Sequence, residues 1–242
     1  MGHWLTRSGQ IEPCVYRPGT PSRYEIMIPT QRMTPLEVDT LHAQGARRSG
    51  WLFYQTACPT CDRCQPLRID LATFARSRSQ RRVWRANQDL IVEVDSPRTS
   101  AEHVALYNKH LFERGLNTDQ ERITEALYDR WLLQSGIQTL EFRYRLDEQI
   151  VGVGLVDRGE QDASSVYFYF DPEQAKRSLG VFSMLTELEW LKSNGLRYHY
   201  LGFYNEDCKA LRYKAAFGPH QLLTRGGEGD RWTQAGDPEP LR

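Results

Sequence analysis

Ser164 to Tyr204 reads SSVYFYFDPEQAKRSLGVFSMLTELEWLKSNGLRYHYLGFY, and its changes of period decide the fold. SVYFYFDP is β-branched and aromatic, the composition of a strand. Leu179, Phe182, Leu185, Leu188 and Leu191 then recur on one helical face, Gly195 stops the helix, and YHYLGFY returns to strand composition. The result is a β-loop-α-β unit. Its loop RSLGVF, Arg177 to Phe182, sets backbone N–H groups at a helix N-terminus, where the unpaired donors and the helix dipole favour an anion. A plain strand-to-helix loop, with Gly180 for tight packing, stays open beside that reading.

Outward from this unit the same signals repeat. QTLEFRYRLDEQIVGVGLVDRG, residues 138–159, reads as a hairpin turning near Asp147 and Glu148. LRIDLATF, Leu67 to Phe74, and QDLIVEVD, Gln88 to Asp95, alternate as strands do. Thr34 as N-cap, Pro35 at the first position, Glu37 closing a capping box and Gly45 as terminator predict a helix. Two further boxes, Thr99 with Glu102 and Thr118 with Glu121, open helical patterns over about 100–114 and 119–134 that end near Gly115 and Gly136. Beyond Arg225 the chain is polar and rich in glycine and proline, the composition of a disordered tail. The division expected is a cysteine- and arginine-rich region over 1–95, an α+β or α/β domain over 96–223 and a tail over 224–242.

The 242 residues, 40% hydrophobic and 26% charged, can bury one sizeable core or two small ones. No apolar run reaches the roughly 18 residues of a spanning helix, and the N-terminus lacks a signal peptide's apolar stretch. A soluble, cytoplasmic protein with no membrane partner is expected. Net charge is zero, which argues against indiscriminate coating of nucleic acid. The charge is uneven, however: residues 43–87 hold nine arginines against two aspartates. One face of the protein should be basic.

Cys58, Cys61 and Cys64 are spaced C-x2-C-x2-C, and Cys14 is the upstream candidate for a fourth ligand. Four thiolates would suit a structural zinc or an iron–sulfur cluster, and buried unpaired thiols are the alternative. RSRSQRRVWR, Arg76 to Arg85, carries five arginines, no lysine precedes Lys109, and strand-like alternation would bring several of these arginines together. Arginine's planar fork suits carboxylate and phosphate, whereas a solvated basic face would need no ligand. Asp171, at the end of SVYFYFDP, is placed to orient an amine or act as a base, with Tyr169 beside it.

Three blocks carry a resemblance. RRSGWLFYQTACPTCDRCQPLRIDLATFARSRSQRR, GVGLVDRGEQDASSVYFYFDPEQAKRSLGVFSMLTELEWLKSNGL and YHYLGFYNEDCKALRYKAAFGPHQLL resemble the aminoacyl-tRNA–protein transferases of the N-degron pathway. The likeness runs from about Cys14 to Leu223, and the short chain with PCVYRPG around Cys14 is more similar to the bacterial leucyl branch than to the eukaryotic arginyl branch. It implies a GNAT-like acyltransferase domain behind a cysteine-bearing N-terminal region. It implies leucyl-tRNA as donor, proteins beginning with Asp or Glu as acceptors, and a leucylated N-terminus that marks them for degradation. Arginyl-tRNA is the alternative donor.

An aminoacyl ester is already activated, so the chemistry needs no cofactor and no enzyme nucleophile. It needs an amine held against the ester carbonyl, a proton acceptor and support for the oxyanion. Asp171 and Tyr169 are the expected catalytic pair. Arg78 and Arg81, with Ser79 and Gln80 as further donors, are expected to read the acceptor's carboxylate. Arg47, Arg48, Arg177, Gly180, Lys209, Arg212 and Lys214 are expected along the tRNA. A metal-held RNA-binding module without catalysis would explain the cysteines and arginines but not the acyltransferase-like half, and an acetyl-CoA enzyme would want a fuller glycine pattern than RSLGVF.

Overall fold

The computed structural model describes residues 3–116, 121–225 and 229–235. In chain order the elements are β1 (Trp4–Ser8), β2 (Glu12–Pro13), β3 (Pro21–Ser22), β4 (Tyr24–Pro29), α1 (Pro35–Ala43), β5 (Arg47–Ser49), β6 (Leu52–Thr56) and β7 (Gln65–Asp70). There follow α2 (Arg78–Ala86), β8 (Ile91–Asp95), α3 (Ala101–Glu113), α4 (Glu125–Tyr128), β9 (Gln138–Leu146), β10 (Gln149–Arg158), β11 (Asp162–Phe170), α5 (Leu179–Ser193) and β12 (Tyr198–Tyr204). The chain closes with α6 (Lys209–Arg212), β13 (His220–Thr224) and β14 (Arg231–Gln234).

One eight-stranded sheet runs in the order β14-β13-β7-β12-β11-β10-β9-β8. β11 and β12 are its parallel pair, joined by α5; the other neighbours are antiparallel. On one face, α5 sends Leu179, Phe182, Leu185, Leu188 and Leu191 against Leu67, Phe142 and Tyr144, with Val83 and Trp84 of α2 at the edge. On the other, α3 and α4 cover Val153, Leu155 and Tyr169 with Val104, Tyr107, Leu111 and Tyr128. A four-stranded sheet, β1-β4-β6-β5, packs with α1 around Leu41 and Phe53.

The expected division at residue 95 cuts through the large sheet, because β7 lies between β12 and β13 near its centre. The expected tail is also ordered in part: Arg231 to Gln234 pair with β13. The hairpin turns as expected, Asp147 taking a positive φ of 52° between β9 and β10.

The helices differ more from expectation. α1 has its full capping box, Thr34 with Glu37, as expected. α3 starts one residue late, since Ser100 rather than Thr99 caps it by accepting the His103 N–H. Thr118 lies outside the described residues. The second helical pattern gives only α4, capped by Thr124, and a π-helical turn from Asp129 to Leu133. The arginine run is helix α2 and not strand. Ser77 and Gln80 form the capping box that starts it, and Arg78, Arg81, Arg82 and Arg85 are exposed while Gln80 is buried and Val83 and Trp84 are half-buried. That split is the 3.6-residue period of an amphipathic helix.

Candidate active site at a fork between two strands

β11 and β12 pair only at Asp162–Tyr198, Ala163–His199 and Ser164–Tyr200, and beyond these they part. Both strands are irregular at that point: β11 bulges against β10 so that Val156 faces Ser165 and Leu155 faces Tyr167, and β12 bulges against β7 between Tyr200 and Gly202. Parting leaves backbone groups without a strand partner, and buried groups of that kind must be satisfied elsewhere. Two cations do this. Arg47, at the start of β5, donates from Nη1 to Ser164 Oγ at 3.0 Å and from Nη2 to the Val166 carbonyl at 3.5 Å. Lys214, from a 3₁₀ turn after α6, donates from Nζ to the Phe203 carbonyl at 2.7 Å.

Gly202 makes room for this arrangement. Its φ is +84°, and a Cβ there would sit 2.7 Å from Arg47 Cζ. Burial, with Arg47 next, brings the Lys214 ammonium down to about 7. The fork therefore holds a fixed guanidinium and an amine that titrates near neutrality. Tyr213 borders it, its phenol pushed up by burial and then by the Glu187 carboxylate.

Below the fork lies a polar cluster that no single segment of sequence announces. Glu187 of α5 is buried; its Oε2 accepts from Ser165 Oγ at 2.6 Å and faces His199 Nε2 at 3.0 Å, and its Oε1 accepts from Ser183 Oγ at 2.9 Å. Gly154 of β10 admits the carboxylate, since a Cβ there would lie 3.2 Å from Glu187 Oε1. The one signal in the sequence is an acid inside a helix buried nearly all round, where apolar residues are the rule.

The expected site residues do not come together at one place. Arg47 and Lys214 come together at the fork, though as partners of strand carbonyls. Gly180 is exposed at the start of α5, and Lys209 and Arg212 are exposed on α6. Arg78 and Arg81 share the exposed face of α2, with Arg81 Nη1 on the Arg76 carbonyl, and Ser79 bonds Ser77.

Others are taken up by the fold. Arg48 is buried in an ion pair with Asp157 at 2.7 Å, where no tRNA reaches it. Gln80 is a capping residue that also donates to the Ala216 carbonyl, tying α2 to the turn that carries Lys214. Arg177 is held by Asp89 through two bonds of 2.9 Å. Asp171 caps the turn Pro172–Arg177 and pairs with Lys109 at 2.7 Å. Tyr169 is fully buried on the α3 side, its hydroxyl 2.6 Å from that of Tyr128. Strand alternation puts its ring on the α3 side, opposite the face that Phe168 and Phe170 present to α5, and full burial there leaves its hydroxyl with no opening to a substrate.

Cys14, Cys58, Cys61 and Cys64 are free thiols near one another: burial and then the Asn205 contact govern Cys64, and the charges of the other three push its thiol up further. Among the described residues no three His, Cys, Asp or Glu side chains are arranged to hold a metal ion.

The parallel strand pair that opens over α5 stands in the half of the chain where the sequence led to the expectation of an acyltransferase domain. The family follows from the sequence comparisons. Residues 12–82 and 102–224 match the N-terminal and C-terminal models of the arginine-tRNA-protein transferases, and the chain belongs to that family. Proteins named aspartate/glutamate leucyltransferase are similar over most of their length. That of Saccharophagus degradans is 39% identical, over 74% of this chain and 76% of the relative; that of Chromobacterium violaceum is 33% identical, over 91% and 89%. Among solved structures, FemX aligns with a TM-score of 0.44 at 8% identity over 84% of this chain and 80% of its own. L-PGS from Bacillus licheniformis aligns at 0.45 and 13% identity, over 72% and 52%.

Proposed function

We propose that this transferase moves leucine from leucyl-tRNA to the N-terminal α-amine of proteins that begin with Asp or Glu, in the cytoplasm, and so marks them for degradation. The observation that carries the reading is the fork with Arg47 and Lys214, in a chain 33% identical over 91% of its length to an aspartate/glutamate leucyltransferase. The ester carbonyl would lie in the fork, where its oxygen gains negative charge as the amine adds. Fixed donors aimed at such an oxygen usually contribute more to acyl transfer than any other single effect.

The acceptor's carboxylate would be read by Arg78 and Arg81, whose side chains share one solvent face of α2. Lys209, Arg212 and the first turn of α5 about Gly180 would meet tRNA phosphates. The test supplies purified protein and an Asp-starting peptide with radiolabelled leucyl-tRNA, arginyl-tRNA or acetyl-CoA in parallel. Label in the peptide from leucyl-tRNA alone is the expected result. Transfer from arginyl-tRNA instead would reassign the donor, and transfer from none would overturn the reading.

A further inference from the structure

The Glu187 cluster fills a place in the core that apolar residues could fill at less cost. A buried carboxylate on a helix whose other inward residues are Leu179, Phe182, Leu185, Leu188 and Leu191 costs stability that a leucine would not. The carboxylate is compensated by donors that lead somewhere. Ser165 is half-buried, sits directly after the last paired residue of β11, and donates to Glu187 at 2.6 Å, the shortest contact of the cluster.

His199 Nε2 lies 3.0 Å from the same carboxylate oxygen and 2.9 Å from Ser165 Oγ, while Nδ1 faces the Ala163 carbonyl at 3.4 Å. A ring nitrogen that close to a carboxylate carries the proton between them. Both Ser165 and His199 then donate to Glu187; the His199 N–H is shared with one lone pair of Ser165 Oγ, and the other lone pair is left to accept. This is not a nucleophilic triad, in which histidine would stand between serine and acid with one nitrogen on each. Here serine and acid touch directly.

We propose that Ser165 is a catalytic proton acceptor for the attacking amine, backed by Glu187 and positioned by His199. The inference rests on the transferase reading above. As the amine nitrogen bonds to the ester carbonyl carbon, the carbonyl π pair moves to oxygen. The nitrogen's proton passes to Ser165 Oγ while the serine's own proton passes to Glu187 Oε2. When the carbon–oxygen ester bond breaks, its pair stays on the ribose oxygen, which takes the proton back through Ser165. One ester and one amine become one amide and one tRNA hydroxyl, and the relay ends as it began. The titratable groups that face it are Tyr144, through Ser183, and Tyr213 beside Glu187, with Lys214 at the fork above and His42 near His199 held neutral by burial, down to about 3.

The experiment measures single-turnover transfer from saturating leucyl-tRNA to an Asp-starting peptide across pH 6 to 9 for the wild type and for Ser165→Ala, Ser165→Thr and Glu187→Gln. General-base loss is worth roughly 100- to 10,000-fold. Ser165→Ala and Glu187→Gln should lose about that much at pH 7 with KM little changed, and should regain rate with each added unit of pH as hydroxide replaces the relay, where the wild type levels off. Ser165→Thr, which keeps the hydroxyl, should restore most of the rate. A Ser165→Ala enzyme with wild-type rate and pH profile would overturn the proposal, as would a Ser165→Thr enzyme no faster than Ser165→Ala. If Glu187→Gln fails to fold, the alanine and threonine pair decides alone. A wild type that transfers nothing from any aminoacyl-tRNA would instead overturn the transferase reading, so the two failures are told apart.

Discussion

Replacing Gly202 by alanine adds one methyl group at the fork, and the structure says what that methyl meets. The backbone stays at φ +84°, which costs a residue with a Cβ about 1–2 kcal/mol. The methyl also lies 2.7 Å from Arg47 Cζ and 2.8 Å from Nε, so the guanidinium must swing away from Ser164 Oγ and the Val166 carbonyl. Hydrogen bonds from a charged donor contribute about 1.5–3 kcal/mol each; because the bond to Val166 is long, we take one full bond as the loss. The sum is about 2.5–5 kcal/mol of stability, measurable as a shift in urea midpoint with unchanged slope.

The effect on rate has a separate size. If the Arg47 charge supports the oxyanion, moving it should lower kcat roughly 100- to 1,000-fold with little change in KM. The double variant Arg47→Ala with Gly202→Ala separates causes. Since the methyl acts by displacing a side chain that is no longer there, adding it to Arg47→Ala should cost only the backbone strain of about 1–2 kcal/mol and almost nothing further in kcat. Additive losses in the double variant would refute this account of the fork.

Three other outcomes follow from the same geometry. Asp157→Asn should destabilise the protein by about 3–5 kcal/mol, because it strands the buried Arg48 charge, while leaving tRNA affinity at the wild-type value in a filter-binding assay. Arg78→Ala should raise KM for an Asp-starting peptide sharply and leave tRNA affinity nearly intact; equal loss of both would return the α2 arginines to phosphate contact. Glu37 is held down to about 2, first by the Thr34 backbone N–H. Because that value lies below the ordinary 4.5, its stabilisation is fully present above pH 4.5 and is lost as pH falls towards 2. The difference in Tm between wild type and Glu37→Gln should therefore be full at neutral pH and shrink to nothing in acid.

What could be read from the sequence was local. The hairpin, the strand before α5, α5 itself and the Thr34 box follow from period and capping, which neighbouring residues determine. The α2 helix is equally legible in the Ser77 and Gln80 box, which sets the helix although the dense arginines also fit a strand's alternation. The fork could not be read in this way. Ser165, Glu187 and His199 come from β11, α5 and β12, and nothing within ten residues of any of them requires the other two. Arg48 and Lys214 look like surface cations until tertiary packing buries the first in an ion pair and sets the second on a carbonyl, since burial of long basic side chains depends on a partner elsewhere in the chain.

The position of β7 has a consequence for synthesis. Residues 65–70 can complete their pairing only with residues 198–204 and 220–222. On the ribosome β7 must therefore wait, unpaired on both edges, until nearly the whole chain has emerged. During that interval the thiols of Cys58, Cys61 and Cys64, which directly precede β7, are accessible to whatever can react with or bind them, before the fork exists.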